Sequence, residues 1–515
     1  MEPTTSALTH EAHEDVLDVF RTTCCIVGGG PGGAVLALLL ARQGVDVMLL
    51  EAHKDFDRDF RGDTVHPSTL EILDEIGLAG RLHQLRHVKV FAPTLRAVGG
   101  SFTPFDLRRL KTRFPYIMLM HQPIFLEFVT EEAAKYPNFR LLMQANVLEL
   151  IEEGGEVRGV RYQSPHGQHE VRALLTVGAD GRFSRVRQQG GFVPIKTSPP
   201  MDVLWFRLPR LPEDPQVTGG ATGGVSRGHI FVVLDRFDYW QAGYIIAKGH
   251  YQEVRAAGLE ALRRSILEID PRFAKHVEHL TDWHQFSLLS VESSRCPRWY
   301  KPGLLLIGDA AHVMSPVGGV GINYAIQDAV VAANVLAGPL RTGQVQLSDL
   351  AEVQRQREWP TRIIQAIQSF LQKRVIANVL RSQETLRVPR YVRLLFRIPL
   401  LRDLPARLIA FGMKRVHVQA VDSESRQRKI GARREAQMPA PDERELLVGA
   451  EALLVPGITV NVVAVLLPEA WRVGGPQLDP ANPLHALPGV QVGHDQAQRV
   501  AVLGGQRLTV VFESK

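Results

Sequence analysis

The 515-residue sequence is poor in cysteine and in long apolar runs. Its three cysteines, Cys24, Cys25 and Cys296, are too few and too unevenly spaced to predict a disulfide framework. No uninterrupted run of 18 or more apolar residues predicts a transmembrane helix. Residues 1–20 lack the basic start and the apolar stretch of a signal peptide. We therefore expect a globular cytoplasmic protein of two or three domains.

Other absences narrow the chemistry and the partners. The chain shows no Ser/His/Asp order, no paired cysteines and no metal-ligand spacing, so neither a hydrolase nor a metal site is predicted. Positive charge is concentrated in residues 373–434, which hold 16 Lys and Arg against 4 Asp and Glu. Such a segment could attract NADPH, nucleic acid or an anionic membrane. A solvated helical face is the favoured interpretation, with peripheral membrane contact through 373–434 kept open and no nucleic-acid partner expected.

The N-terminal region has the pattern of a nucleotide-binding βαβ unit. An apolar strand at 23–27 is followed by the glycine turn GGGPGG at 28–33. A helix is predicted at 34–43, closed by Gly44, and a second strand at 45–50. These elements span about thirty residues, as a strand, turn, helix and strand unit requires.

The glycine spacing fits a dinucleotide. Gly28 permits the tight turn, Gly30 lets the backbone approach a pyrophosphate, and Gly33 permits close packing of helix and strand. The helix N-terminus offers N–H groups to phosphate. Glu51 ends the second strand, where a carboxylate accepts hydrogen bonds from ribose hydroxyls and repels a 2′-phosphate. The unit is therefore predicted to bind FAD or NAD rather than NADP.

A second glycine-rich segment lies far along the chain, at 304–328. A strand at 303–307 delivers Asp309, whose oxygens suit sugar-like hydroxyls. Gly318, Gly319 and Gly321 then form a turn that opens a helix predicted at 323–336. Free N–H groups at that helix start could stabilise negative charge on a reduced flavin.

The remaining patterns organise the chain. Ser68 or Thr69 is predicted to cap a helix, and a further helix is predicted at 122–134. Residues 195–294 are rich in strand patterns and predict a sheet platform. Helical patterns continue to 418, and 438–442 resembles a linker before a short β-rich tail.

Three motifs together resemble the class A flavoprotein monooxygenases, the aromatic hydroxylases with the p-hydroxybenzoate hydroxylase fold. They are GGGPGG with Glu51, GADG at 178–181, and IGDAAHVMSPVGGVGIN at 307–323. The resemblance covers roughly residues 23–418. It implies an α/β protein (α+β overall), in which a Rossmann-type FAD-binding domain is interleaved with a β-sheet substrate domain and followed by C-terminal helices and a small appendage. The predicted parts are an arm at 1–22, the FAD-binding domain at 23–194 and 295–435, the substrate domain at 195–294, and an appendage of unassigned role at 436–515.

The resemblance also implies positions that contact the cofactor. Two lie at the adenosine end (Glu51 at the ribose, Val147 at the adenine), and the DG segment is associated with both FAD and NAD(P)H. The complete set of predicted cofactor-binding residues is Gly28, Gly30, Pro31, Gly33, Glu51, Arg61, Gln122, Val147, Asp180, Asp309, Gly318, Gly319, Gly321, Ile322 and Asn323.

The implied activity is hydroxylation of an aromatic or other electron-rich small molecule. NAD(P)H reduces FAD, O2 adds to the flavin, and the C4a-hydroperoxide transfers one oxygen atom. One full G-x-G-x-x-G unit suits a family in which NAD(P)H is a co-substrate without its own Rossmann domain. No catalytic residue is assigned, because His66, His121 and His312 are better explained as structural. The sheet should roof the substrate pocket. Apolar or stacking surface could come from Trp205, Phe206, Phe231, Tyr239 and Trp240, although most of these are expected to be core residues.

Other functions share parts of this pattern. A flavin-dependent halogenase is disfavoured because the W-x-W-x-I-P segment is missing. A flavin-dependent reductase of an isoprenoid-type substrate stays open, and oxygen uptake would distinguish it. A non-catalytic flavin-binding or membrane-binding protein is the third alternative, since residues 391–410 mix arginine with apolar residues. A plain NAD-dependent dehydrogenase would leave the segment 308–323 without a role.

Overall fold

The computed structural model describes residues 16–57, 64–97, 100–215, 220–226, 228–381 and 399–419, and three strands between 491 and 510. The described residues up to 419 belong to one compact unit, and the three late strands belong to a second. Arg61 lies outside the described residues, so its predicted role at the cofactor stays a prediction.

The strands are numbered in chain order. They are β1 (Asp18–Val27), β2 (Val47–Leu50), β3 (Thr64–Val65), β4 (Val88–Val90), β5 (Thr94–Ala97), β6 (Gly100–Phe102), β7 (Ile117–Leu119), β8 (Phe139–Leu142), β9 (Asn146–Glu153), β10 (Glu156–Ser164), β11 (Gly167–Gly178), β12 (Ile195–Thr197), β13 (Met201–Pro209), β14 (Ala221–Ser226), β15 (His229–Asp235), β16 (Tyr239–Ala247), β17 (Ser287–Ser290), β18 (Ser293–Arg295), β19 (Tyr300–Lys301), β20 (Leu304–Leu306), β21 (His312–Val313), β22 (Gln491–Asp495), β23 (Gln498–Leu503) and β24 (Gln506–Val510).

The helices are numbered in the same way. They are α1 (Pro31–Arg42), α2 (Pro67–Glu75), α3 (Ala79–Leu82), α4 (Gln122–Ala134), α5 (Arg185–Gln189), α6 (Tyr251–Ala257), α7 (Leu259–Ile269), α8 (Ala274–Val277), α9 (Gly321–Arg341), α10 (Leu347–Leu371), α11 (Ala377–Arg381) and α12 (Pro399–Phe411), with 3-10 turns at Leu107–Arg109, Pro271–Phe273, Trp283–Gln285, Gly308–Ala310 and Val317–Gly319 and a π-turn at Gln372–Ile376.

The first large sheet is a Rossmann-type sheet. Its parallel strands run in the order β20, β11, β1, β2 and β8, so the late strand β20 joins a sheet built from the first part of the chain. The strands β9 and β10 add an antiparallel hairpin along β11. In β1 the consecutive residues Cys24 and Cys25 are fully buried on opposite faces, because both faces of the sheet are covered.

The second large sheet contains the predicted platform, but it also includes β5 and β6, which come from the region predicted to belong to the FAD-binding domain. Its seven strands run in the order β17, β13, β16, β15, β14, β5 and β6, antiparallel except for the parallel pair β14 and β5. Helices α6, α7 and α8 follow β16 and cover one face. The chain leaves the cofactor domain through β12 and returns through β18, and these two strands pair with each other, with Ile195 opposite Arg295. The predicted interleaving of a Rossmann-type domain with a sheet domain is therefore confirmed.

Helix α9 is the most apolar long helix of this unit. The helical stretch Val317–Arg341 is long and apolar enough to cross a membrane by length and composition, but 72% of its most apolar window is buried. It packs between α1 and α10. We therefore interpret α9 as a core helix.

The region predicted to be interfacial is only partly described. Its later part is α12, which buries Ala406, Ala410 and Phe411 against Leu107 and Ile117. Residues 382–398, which include the start of that region, lie outside the described residues. Membrane contact therefore stays a prediction.

Two further predictions concern single elements. Helix α4 has the predicted bounds. The predicted cap of α2 is wrong: His66 is the N-cap and Pro67 the first helical residue, so Ser68 and Thr69 lie inside the helix. Proline suits the first helical position because it has no N–H to satisfy there.

The second unit is described by its three strands. These strands, β22, β23 and β24, form an antiparallel meander with Gln491 opposite Val502 and Leu503 opposite Gln506.

Candidate functional site

The glycine turn after β1 is shaped by close backbone packing. Gly28 has φ +106°, and a Cβ there would lie 2.5 Å from the carbonyl oxygen of Ala179. A Cβ on Gly33 would lie 2.0 Å from the carbonyl oxygen of Gly28. Neither position accepts a side chain without moving the backbone.

Gly30 differs, because a Cβ at Gly30 would have no protein atom within 4 Å. Gly30 is the N-cap of α1 and Pro31 its first residue, so the helix begins three residues earlier than predicted. The first-turn N–H groups and the positive end of the helix dipole therefore lie beside open space. This open cradle fits the pyrophosphate of FAD, which the backbone could approach without steric hindrance.

Glu51 is held in place at the end of β2. Its carboxylate is buried and accepts hydrogen bonds from the N–H groups of Gly29 and His53, each at 3.0 Å. The carboxylate is therefore fixed beside the glycine turn, where adenosine hydroxyls of a bound dinucleotide would lie.

The acidic side chain of the DG segment, Asp180, forms hydrogen bonds to residues of the protein itself. Asp180 accepts hydrogen bonds from the hydroxyl of Ser184 at 2.5 Å and from the N–H of Val186 at 3.1 Å. Burial raises the pKa of Asp180, although these hydrogen bonds act in the opposite direction. Asp180 thus stabilises the start of α5, whose N-cap is Ser184, and its predicted part in cofactor binding stays a prediction.

Arg187 links the two cofactor segments, a role that the sequence did not reveal. Its guanidinium is buried and donates to the carbonyl oxygens of Asp309 and Ala310 at 3.3 and 3.2 Å. It also donates to the carbonyl oxygen of Arg182 at 2.7 Å. The DG segment is therefore tied to the turn that carries Asp309.

A buried ionic network holds the same turn from the other side. The carboxylate of Asp328 accepts from the N–H of Gly308 at 3.0 Å and contacts His312 Nε2 at 2.6 Å and Arg357 Nε at 2.7 Å. The side chains of Asp328 and Arg357 are fully buried. Burial opposes ionisation of Asp328, but the charges and hydrogen bonds of His312 and Arg357 outweigh it, so its pKa is lowered. The network fixes the position of Gly308 and therefore the backbone that leads into Asp309, the next residue.

The glycine loop before α9 is pinned by Asn323. Gly318 and Gly319 adopt φ of +83° and +62°. The Asn323 side chain accepts from the N–H of His66 at 2.9 Å and from the hydroxyl of Thr69 at 2.8 Å, and it donates to the carbonyl oxygen of Thr64 at 3.1 Å. We conclude that the Asn323 side chain positions the helix start, and that Gly321 and Ile322 present backbone beside it.

Ala325 brings the distant segments together. Its carbonyl oxygen lies 3.2 Å from where a Cβ on Gly32 would stand, and its methyl group 3.0 Å from the corresponding point on Gly308. The starts of α1 and α9 and the Gly308 turn therefore meet at Ala325, and we refer to the region bounded by these three elements as the cofactor cleft. This is the arrangement that an extended dinucleotide requires.

His66 is a buried neutral base behind the glycine loop. Its Nδ1 donates to the carbonyl oxygen of Ile409 at 2.7 Å, and within the described structure its Nε2 has no hydrogen-bond partner. Burial lowers the pKa of His66 to about 4. A neutral histidine therefore stands at the start of α2.

The other predicted contacts lie on separate elements. Gln122 is the first residue of α4, directly after His121. Val147 lies on β9, and its carbonyl oxygen accepts from Arg185 Nη1 at 3.2 Å. The cofactor contacts predicted for Gln122 and Val147 stay predictions.

The two faces of the platform sheet have different roles. Phe206, Phe231 and Trp240 pack with the helices that cover one face, as expected of core residues. Trp205 lies on the other face with Val203 and Ile245. Residues two or four apart on a strand share a face, so Tyr239 and Gly243 lie on the same face of β16. Gly243 pairs with Trp205, which places Tyr239 on the Trp205 face.

Gly243 makes room for the indole of Trp205. A Cβ there would lie 2.9 Å from a ring carbon of Trp205 and 3.0 Å from a methyl group of Val232. Val317, which precedes Gly318, packs against the same apolar face. The Trp205 face is therefore directed to the loop that the cofactor was predicted to contact.

Comparison with known proteins agrees with this geometry. A family model described as FAD binding domain matches residues 21–365. The chain is 33% identical over 411 residues to 6-methylpretetramide 4-monooxygenase of Streptomyces rimosus, covering 78% of this chain and 95% of that protein. It is 27% identical over 337 residues to para-nitrophenol 4-monooxygenase of Pseudomonas sp., covering 62% of this chain and 78% of the relative.

A solved structure shows the same fold. The Pseudomonas aeruginosa protein PqsL, described as a probable FAD-dependent monooxygenase, superposes with a TM-score of 0.60 at 22% identity. The match covers 70% of this chain and 97% of PqsL.

Proposed function

Since the chain belongs to the FAD binding domain family and is an FAD-dependent monooxygenase, we propose that it hydroxylates a multi-ring phenolic compound between the cofactor cleft and the Trp205 face of the platform sheet. The observation that carries the proposal is the close packing of Gly32 and Gly308 on Ala325, which brings the two predicted cofactor segments together. A second observation is the apolar face of the sheet beside the loop that opens α9.

The residues of the cleft have separate tasks in this proposal. The first turn of α1 binds the pyrophosphate, and Glu51 orients the adenosine ribose. Asp309 binds hydroxyls of the ribityl region. The start of α9 supplies N–H groups and a positive dipole end to the reduced flavin. FAD, once bound and reduced by NAD(P)H, supplies the activation of O2 that no amino-acid side chain provides.

The sheet positions the substrate and excludes water. Trp205, which is half-buried, offers apolar surface, and the buried Val203 and Ile245 support it from the same face. Val317, Ile376 and Leu380 also pack against that face, and Val317 leads to the glycine loop. An aromatic substrate gains free energy by burying its rings on such a surface, and a dry site protects the oxygenating species from water.

The proposed substrate class follows from the first relative. A protein named for 4-hydroxylation of 6-methylpretetramide is matched over 95% of its length. The second relative is named for para-nitrophenol. Phenolic aromatics are therefore the class to test, with multi-ring members expected to be preferred.

The test is turnover with a substrate panel. Purified FAD-loaded protein is mixed with NADH or NADPH under air, with para-nitrophenol, 1-naphthol and a tetracyclic phenol, while oxygen uptake and products are measured. Substrate-stimulated oxygen consumption with a product one oxygen atom heavier supports the proposal. Reduction of the substrate without oxygen uptake would instead support the reductase alternative.

A further inference from the structure

A cavity of about 120 Å³ lies between β7 and the hairpin that joins β15 to β16. Met120 and His121 line one side of it, Phe237 and Asp238 the other, and Ile124 of α4 contributes apolar surface. An engineered apolar cavity of about 150 Å³ holds benzene. The cavity volume is therefore close to that of a site for one aromatic ring, and its lining also includes Arg86, His87 and Arg236.

The strand that lines this cavity is linked by hydrogen bonds to the glycine loop before α9. Leu119, which also lines the cavity, pairs with Thr64 in the small sheet of β3 and β7. The hydroxyl of Thr64 donates to the carbonyl oxygen of Gly319 at 2.9 Å. One strand pair thus joins the cavity to the glycine loop before α9.

The hairpin is fastened to the same wall. The hydroxyl of Tyr239 lies 3.3 Å from Nε2 of His121, and their rings meet edge to face at 5.6 Å. His121 directly precedes Gln122, the first residue of α4. The hairpin tip is therefore held over the cavity beside the start of α4.

Phe237 at the hairpin tip has an unfavourable backbone conformation and an exposed ring. Its φ is +75°, and half of its surface is exposed. A bulky residue is rare in this region of φ, where glycine is favoured. A turn that needed only this shape would be better served by glycine, and strain of this kind persists mainly where the side chain has a function.

Arg86 holds the Phe237 ring. Its guanidinium forms two hydrogen bonds to the carboxylate of Asp238, at 2.9 and 2.8 Å, and lies 4.6 Å from the centroid of the Phe237 ring. A planar guanidinium paired in this way restricts the orientation of the ring beside it. Arg86 is therefore a positioning residue.

We propose that this cavity is a subsite for one aromatic ring of the substrate, in which Phe237 stacks on that ring and Arg86 orients Phe237. The inference rests on the proposed function, because it assumes an aromatic substrate that approaches the cofactor cleft. It adds Phe237 as a specificity-determining residue outside the Trp205 face. Multi-ring substrates gain from this subsite, since one ring fills it while another reaches the cleft.

The test separates binding from turnover. 1-Naphthol is titrated into FAD-loaded protein, and its Kd is read from the change in flavin absorbance. Phe237→Gly should weaken binding about two- to tenfold, the range of a single aromatic pair. The same variant should unfold at an equal or higher temperature, because glycine removes the strain at φ +75°. Phe237→Tyr should restore the wild-type Kd.

The control is Phe370→Ala, which removes another exposed aromatic ring, on α10. Its Kd for 1-naphthol should equal the wild-type value. Equal Kd values for Phe237→Gly and wild type would overturn the subsite, and so would a wild-type protein that binds no 1-naphthol. Binding that depends on Phe237 without any hydroxylated product would keep the subsite and remove the proposed function.

Discussion

Asp328 and Arg357 form an ion pair that is wholly buried, with 2.7 Å between Oδ1 and Nε. The pair joins α9 to α10, and its other carboxylate oxygen accepts from the N–H of Gly308. One carboxylate therefore contributes both to the packing of α9 on α10 and to the position of the Gly308 turn.

We expect Asp328→Asn to lower the free energy of unfolding by about 3–5 kcal/mol, because Arg357 would keep a buried charge without its counter-ion. Urea denaturation of FAD-free protein measures the change. The lowered pKa of Asp328 means that its contribution is present above about pH 4 and is lost as the pH falls further. The difference between variant and wild type should therefore shrink in acid. Glu253→Gln, which breaks the exposed pair with His250, is the control and should leave stability unchanged.

The buried His66 should give the stability of the fold a second pH dependence, at higher pH than that of Asp328. Its pKa is lowered to about 4, below the ordinary value of 6.5. Between these two values the unfolded chain binds a proton at His66 and the folded protein does not. Stability should fall by about 2 kcal/mol between about pH 7.5 and about pH 5. His66→Asn keeps a donor for the carbonyl oxygen of Ile409 and should lose this part of the pH dependence. Parallel pH profiles for the two proteins would contradict the buried neutral histidine.

Gly30 and Gly33 should separate folding from cofactor binding. Gly30→Glu places its side chain in open space, so FAD-free protein should unfold as the wild type does, while steric bulk and charge at the pyrophosphate abolish FAD binding. Gly33→Ala instead forces a Cβ against the backbone of Gly28 and should cost about 1–3 kcal/mol or more. Denaturation of both FAD-free variants, with flavin content after reconstitution, measures the contrast. Normal flavin content in Gly30→Glu would disprove the assignment of this turn.

Asp309 should contribute more to FAD affinity than to the stability of the fold. Asp309→Ala removes a charged acceptor from the cleft, and we expect Kd for FAD to rise about tenfold or more. Ultrafiltration of protein at graded FAD concentrations measures Kd. Glu213→Gln, which removes an exposed carboxylate paired with Lys275, is the matched control and should bind FAD normally. An unchanged Kd in Asp309→Ala would remove the residue from the site.

Local patterns were enough to predict the cofactor frame. The turn at Gly28, the acceptor at Glu51 and the bounds of α4 each depend on neighbours in sequence, where spacing carries the information. The sequence pattern gives the wrong cap for α2. Ser68 and Thr69 are good capping residues, but α2 already begins at Pro67, with His66 as its N-cap.

Contacts between distant parts of the chain could not be read in the same way. Arg187 reaches the turn at Asp309 across more than a hundred residues, and an arginine in a short helix has no sequence pattern that reveals this. Alternation along β13 shows that Trp205 and Phe206 lie on opposite faces but not which face the helices cover. Only the position of α7 shows which residues of each platform strand face the helices.

The pairing of β12 with β18 has a consequence for how such enzymes diversify. The 95 residues between Thr197 and Ser293 depart from and rejoin the cofactor domain at neighbouring strands, and within them β14 also pairs with β5. A lineage could lengthen, recombine or replace that segment while the two ends stay in register. Change confined to this segment could then alter the substrate face, provided that the strand next to β5 is kept, while the FAD-binding part is inherited intact.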